Sequence, residues 1–275
     1  MSKKREIAKK LVIEDKIPLT IALRAMSVSK SSYDYEAKTG YDQRQRPLDD
    51  RLSHRLQQLS GYDQVYGYRK VTKLFDDYNH KKVYRHMKCL GLLQPRRLKK
   101  KALKRLPWEC PIQSNVRWEG DLTYVWDGTQ CNYLFVVVDA HDKEPIGDCY
   151  GLRSRAQEAI RSLEEAVQNR FGSLELVTSY RVILRLDQGR QYISNDFRRR
   201  AKELGVKIEY CGIGCPDDKP FIESFFSRYK CEEVYRNEYR SFTDGFLGWV
   251  QYKDWYKTRR LHQGLGYMTI PEFKK

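Results

Sequence analysis

The sequence predicts a mixed α/β layer domain over residues 108–234, preceded by small all-helical segments and followed by a helical extension over 235–275. Three observations carry this expectation. Apolar residues recur at helical spacing before Trp108 and in short β-branched and aromatic runs after it. Those runs come as three strands joined by tight turns, after which helix, strand, helix and strand alternate. Charge is segregated as well: of the net +16, residues 1–107 hold 27 Lys and Arg against 11 Asp and Glu, whereas residues 108–275 hold 25 of each sign.

The chain of 275 residues is long enough for two or three domains. No apolar run approaches the ~18 residues of a membrane span, and no apolar stretch behind the basic start resembles a secretion signal. Neither a membrane nor a secreted protein is expected. The seven cysteines, Cys89, Cys110, Cys131, Cys149, Cys211, Cys215 and Cys231, are odd in number and scattered, which fits reduced thiols. Only Cys211 and Cys215 are close, so a structural zinc site is not expected either.

Along the first part, Ile7, Leu11, Leu19, Leu23 and Met26 mark two helices, and Ser27 or Ser29 can cap the helix that follows. This gives a helix-turn-helix segment over 1–40. A second such segment spans 48–93. There Leu52, Leu56 and Leu59 mark a helix ending at Gly61, Val71, Leu74 and Phe75 a second, and Val83, Met87 and Leu90 a third ending at Gly91. Arg69, Lys70, Lys73, Lys81, Lys82, Arg85 and Lys88 lie on these helices. A segregated basic excess on short helices is the footprint of a polyanion partner, most often duplex DNA. Residues 94–107, with seven Lys or Arg including Arg96 and Arg97 and a proline near each end, read as a basic linker that also touches phosphate.

After Trp108, residues 116–126 and 133–139 read as a hairpin turning at Asp127-Gly128-Thr129, with a third strand over 146–152. Apolar positions 156, 159, 160, 163, 166, 167 and 171 define an amphipathic helix. A buried strand over 181–187, a basic helix over 195–204 and a strand over 206–211 follow. Pro220 opens a helix to about Val234, and Phe242, Phe246, Trp249, Val250, Trp255 and Tyr256 mark a last one.

Three carboxylates stand out on these elements. Asp121 lies inside the first strand, two residues beyond Glu119. Asp187 ends an apolar strand, and Glu223 sits in the first turn of the Pro220 helix among Phe221, Ile222, Phe225 and Phe226. Each alone reads as a turn or helix-dipole residue. Several converging would raise one another's pKa unless a divalent cation lay between them, and hard oxygen ligands without His or Cys suit Mg²⁺ or Mn²⁺.

Trp118-Glu-Gly-Asp-Leu-Thr-Tyr124, Leu186-Asp-Gln-Gly-Arg-Gln-Tyr192 and Ile222-Glu-Ser-Phe-Phe226, with 35 residues between Asp187 and Glu223, resemble the DDE catalytic core of IS3-family insertion-sequence transposases, relatives of retroviral integrases. Tyr256-Lys-Thr-Arg-Arg-Leu-His-Gln-Gly-Leu-Gly-Tyr267 with Pro271-Glu-Phe273 resembles the family's carboxy-terminal motif, and Tyr66-Gly-Tyr-Arg69 with Lys82-Val-Tyr-Arg-His-Met87 its amino-terminal helix-turn-helix. The resemblance implies an RNase H-like fold with a mixed five-stranded sheet. It implies that Asp121, Asp187 and Glu223 are catalytic and hold two Mg²⁺ or Mn²⁺ ions, and that the chain cleaves and joins strands at the terminal inverted repeats. Element ends and target DNA would be its partners, in a dimer or higher assembly, with an upstream helix-turn-helix protein of the same element as a further candidate partner, in a bacterial cytoplasm and nucleoid. A nuclease of the same fold and an inactive DNA-binding regulator are the alternatives. Arg185-Leu186 stand where the family has His-Ser, Ser227 where it often has Lys, and Lys257 and Leu261 where it has Asn and Pro. Lys230, seven residues beyond Glu223, falls on the same helix face and is expected to meet a DNA phosphate.

Overall fold

The computed structural model describes residues 2–34, 47–95, 111–174, 182–212 and 218–275. Arg96, Arg97 and most of the expected linker lie outside the described residues. Two compact units result, Met1–Asp49 and Asp50–Lys275.

In the first unit, α1 (Ser2–Ile13), α2 (Leu19–Met26) and α3 (Lys30–Tyr33) pack with Ala8 and Ala22 fully buried. The two serines of the turn divide its work. Ser27 ends α2 in the left-handed region at φ 52°, and the Ser29 hydroxyl accepts the Ser32 N–H at 3.2 Å to cap α3.

The second unit begins with α4 (Asp50–Gln57), α5 (Tyr68–Phe75) and α6 (His80–Cys89). Helix α4 stops four residues short of the expected Gly61. Gly61 takes φ +56° and opens a 3₁₀ turn to Val65, which swings Tyr62 and Tyr66 toward Trp255 with ring centroids 4.4 and 6.1 Å away. Burial of two tyrosine rings outweighs one more turn of α-helix there.

A five-stranded sheet follows, formed by β1 (Arg117–Trp126), β2 (Cys131–Asp139), β3 (Pro145–Gly151), β4 (Val182–Leu186) and β5 (Val206–Tyr210) in the order β3-β2-β1-β4-β5. β1–β2 and β2–β3 are antiparallel, and β1–β4 and β4–β5 parallel. Asp127 Oδ1 fixes the β1–β2 turn by accepting the Thr129 and Gln130 amides at 2.9 and 2.8 Å. Side chains alternate between two cores. Phe135 and Val137 of β2 face α7 (Ala156–Phe171), while Leu134, Val136 and Val138 join the core of α10 (Pro220–Glu232) and α11 (Phe242–Thr258). The α7 side also takes α8 (Arg190–Ile193) and α9 (Asn195–Glu203). At Gly147 a Cβ would lie 2.2 Å from the Ser162 carbonyl, so only glycine lets β3 approach α7 this closely.

Residues 50–93 share one core with the end of the chain. Leu52, Leu56, Tyr66, Val71, Phe75, Val83 and Met87 cluster with Phe225, Tyr229, Trp249, Tyr252, Trp255, Tyr256 and Ile270, the last of these on α12 (Ile270–Phe273). Two glutamates following Cys231 fasten this junction. Glu232 accepts from the Arg260 guanidinium at 2.8 and 2.5 Å and from the Tyr252 hydroxyl at 3.0 Å. Glu233 accepts from Tyr62 at 2.7 Å and Tyr239 at 2.9 Å. Burial pushes the Glu232 carboxyl up, but the Arg260 pair outweighs it and the net shift is downward. Lys257 pairs with Glu144 at 3.0 Å. No disulfide joins the described cysteines, and no described helix is long and apolar enough to cross a membrane.

Candidate active site

Strand periodicity decides which groups meet. Glu119 and Asp121 are two residues apart, so both face α10. Glu119 is fully buried, and its Oε2 accepts the Phe221 and Ile222 amides at 2.8 and 2.9 Å, satisfying orphan donors at the start of α10. Pro220 at the first helical turn needs no such partner. Burial pushes the Glu119 carboxyl to about 7 despite these bonds. The amino-terminal turn that carries Glu223 is thereby pinned to the strand that carries Asp121.

Asp121 accepts the Leu122 amide at 2.8 Å, and its Oδ2 lies 3.1 Å from the Lys219 ammonium. Lys219 is only 5% exposed and also donates to the Gly120 carbonyl at 3.4 Å. Burial raises the Asp121 carboxyl, Lys219 and the Leu122 amide pull it down, and the neighbouring Asp187 charge pushes it up again; the net direction is upward.

Asp187 follows β4 directly. Glu119 pairs with Arg185, and two further steps in this parallel register bring Asp121 and Asp187 to the same level on adjacent strands. The Gly189 amide donates to Asp187 Oδ1 at 2.9 Å, and Gln188 donates to the Cys211 carbonyl at 3.1 Å, which holds the strand exit against the next strand. Tyr192 is buried nearby, and burial first and then the charges of Asp121 and Asp187 push its hydroxyl well above the usual tyrosine range.

Glu223 is exposed and lines one cleft with Asp121, Leu122, Thr123, Ser227 and Lys230. The sequence-predicted residues Asp121, Glu223 and Lys230 therefore line one cleft; Asp187 is not among its lining residues and lies at the level of Asp121 on the adjoining strand. Among the described residues, no three His, Cys, Asp or Glu side chains stand close enough to hold a metal ion as they are.

The predicted basic residues separate into kinds. Arg69, Lys73, Lys81 and Lys88 are exposed, while Lys70, Lys82 and Arg85 are half-buried. Lys82 lies 4.9 Å from the Tyr78 ring and Lys70 4.6 Å from the Tyr66 ring. Sequence reasoning gave Glu119 and Lys219 no role. The i, i+2 spacing to Asp121 and the position just before Pro220 were the available signals. Arg185, a departure from the family pattern, donates to Glu209 at 2.8 Å and to the Asp218 carbonyl at 2.8 Å, so it steadies the residue preceding Lys219. Leu186 beside it is fully buried.

Residues 111–216 and residues 204–269 each match the family described as Integrase core domain, and together they run over more than half of the chain. A 31.7 kDa protein of insertion element IS407 from Burkholderia multivorans is 25% identical over 92% of this chain and 88% of its own length. Transposase InsF for insertion sequence IS3fB of Escherichia coli is 31% identical over 46% of this chain and 42% of its own. In fold the chain is similar to a protein of a simian T-cell lymphotropic virus intasome, with a TM-score of 0.51 at 16% identity over 76% of this chain and 70% of that one. With its five-stranded mixed sheet and these relatives, the chain belongs to the insertion-sequence transposases that carry an integrase core.

Proposed function

We propose that this transposase cuts and joins DNA strands at the ends of its element with Asp121, Asp187 and Glu223 as its acidic triad. The observation that carries the reading is the cleft shared by Asp121 and Glu223, with Asp187 at the level of Asp121 on the adjoining strand, inside the integrase-core region. The donor set fits hard divalent cations. It consists of carboxylates without thiolate or imidazole, and burial together with Asp187 raises the Asp121 carboxyl, a strain that a bound cation relieves. Two Mg²⁺ or Mn²⁺ ions held by these three residues would supply charge neutralisation at the scissile phosphate and an activated attacking hydroxyl.

The chain's own groups do the rest. Glu119 keeps the first turn of α10 on β1 and so aims Glu223. Lys219 orients Asp121 through Oδ2 and offsets part of its charge, while Oδ1 accepts the Leu122 amide. Lys230, two helical turns beyond Glu223, meets a phosphate of the bound strand. Exposed Arg69, Lys73, Lys81 and Lys88 supply further phosphate contacts, and the unit of α1–α3 reads the terminal repeats. Because two ends must be brought together, the working form is a dimer or higher assembly on DNA, with an upstream helix-turn-helix protein of the same element as a further partner, acting at the nucleoid of a bacterial cell.

The test is a strand-transfer assay on oligonucleotides carrying the element ends. Joined products should form with Mg²⁺ or Mn²⁺ and vanish in EDTA or in E223Q, while mobility-shift binding persists. Joining that survives chelation, or full activity of E223Q, would exclude the assignment.

A further inference from the structure

Helix α10 has a second wall. Opposite the Glu223 face, Phe221, Ser224, Phe225 and Arg228 line a half-open cleft of about 450 Å³, closed on its other sides by residues 65–70 and by 260–267. Its charged lining is one-sided. Arg69, Lys70, Lys143, Arg228 and Arg260 face it with one acid, Glu232, and both oxygens of that acid are already held by Arg260. Among the described residues, Lys70 and Arg228 form no ion pair. Burial drives the Lys70 ammonium down to about 7, and the Arg260 and Arg228 charges push it the same way against Glu232 and Asp63. With five Lys and Arg side chains and one acid on its walls, the cleft attracts an anion.

The shape and chemistry favour a polymer over a small ligand. Arg69 and Arg228 are exposed at the rims rather than enclosed, and Tyr68 and Tyr267 flank the opening. Long cationic side chains spread along a groove follow a phosphodiester backbone, and they carry no pattern for reading bases. Glu223 and Arg228 are five residues apart, about 7.5 Å along the helix axis and on nearly opposite sides of it.

We propose that the cleft between residues 65–70, the Arg228 face of α10 and the loop 260–267 is a second seat for duplex DNA, gripping the phosphate backbone of DNA that flanks the reacting end. This rests on the transposase reading, and it gives the carboxy-terminal motif a function: Tyr256, Arg260 and His262 build one wall of the seat. His262 is held neutral there, since burial and then Arg260 lower it to about 3, so its ring adds no charge.

The test measures duplex affinity of the full chain by fluorescence anisotropy over a range of salt, for wild type, R228Q and G264D. Gly264 is exposed, and a Cβ there would have no neighbour nearer than the Lys143 Cε at 4.0 Å, so G264D adds a negative charge to the cleft without crowding. Each variant should weaken duplex binding by roughly three- to tenfold near 0.1 M salt, and R228Q should flatten the log–log salt slope by about 0.9. Thermal melting verifies that both fold. Inorganic phosphate and ATP, added at matched ionic strength, should displace DNA no better than chloride. Wild-type affinity and slope in both variants would overturn the proposal, as would displacement of DNA by micromolar ATP or inorganic phosphate, which would make the cleft a small-ligand site. Loss of binding in R228Q is independent of joining in E223Q, so the seat and the active site fail separately.

Discussion

The cleft on the Glu223 side of α10 and the cleft on its Arg228 side share one helix but hold opposite charge. The first gathers Asp121 and Glu223 beside Lys230, with Asp187 level with Asp121 on the adjoining strand; the second gathers five cations around one neutralised acid. Their construction differs as well. The acidic side is held at its root by Glu119 and Lys219 and left open at its mouth, whereas the cationic side is walled by the Glu232–Arg260 pair and the tyrosines packed around it. A 3.6-residue period is enough to sort 223, 227 and 230 from 221, 224, 225 and 228. One helix can therefore present a cation-demanding face to the reacting phosphate and an anion-demanding face to the DNA beyond it.

Removing charge from the acidic face should have the largest effect. D121N, D187N and E223Q should each lower strand transfer by on the order of a thousandfold or more while duplex affinity stays within about threefold, as read by single-turnover assays and anisotropy. A comparable fall in binding would mean that the two faces are not separable.

Breaking the wall of the cationic side comes next. R260A strands the buried Glu232 carboxylate and should destabilise the unit of residues 50–275 by about 3–5 kcal/mol in urea unfolding. R260M with E232L, which removes both charges, should recover most of that loss. Failure of the double variant to recover would assign the pair a role beyond neutralisation.

A positioning effect of intermediate size is expected at Glu119. E119A leaves two amides of α10 unpaired and should slow joining about tenfold or more while costing ~1–3 kcal/mol in stability. E119Q retains one acceptor oxygen and should restore part of the rate. Equal defects in both would argue against orientation of α10 as the cause.

The smallest effect sharpens the cationic side. Burial, and then the Arg260 charge, push the Lys70 ammonium down to about 7, far below the usual lysine range, and a bound phosphate favours the ammonium. Between about pH 7 and 9, duplex binding should therefore take up a fraction of a proton, visible as a buffer-dependent heat in calorimetry. K70M should abolish that uptake; an unchanged uptake would place the titrating group elsewhere.

The sheet was legible because β-branched runs such as Val136-Val-Val138 have little alternative to a buried strand, and α7 because its apolar positions keep a helical period. The triad was legible through motif spacing. The groups that support it were not, because each acts through a partner far away in sequence. Glu119 serves amides 102 and 103 residues on, Lys219 reaches back to Asp121, and Tyr62 binds Glu233 across 171 residues. The i, i+2 spacing and the position before Pro220 mark Glu119 and Lys219 but do not identify their distant partners. The end of α4 was misplaced for the same reason, since what turns the chain at Gly61 is the Trp255 ring against which Tyr62 packs.

The most direct measurement compares E223Q and R228Q in one strand-transfer assay as protein concentration is raised over a fixed amount of end substrate. The deficit of R228Q should shrink steadily as binding is restored by mass action, whereas that of E223Q should persist at every concentration. An R228Q deficit that stays constant, or an E223Q deficit that shrinks in parallel with it, would contradict the division of α10 into a reacting face and a holding face.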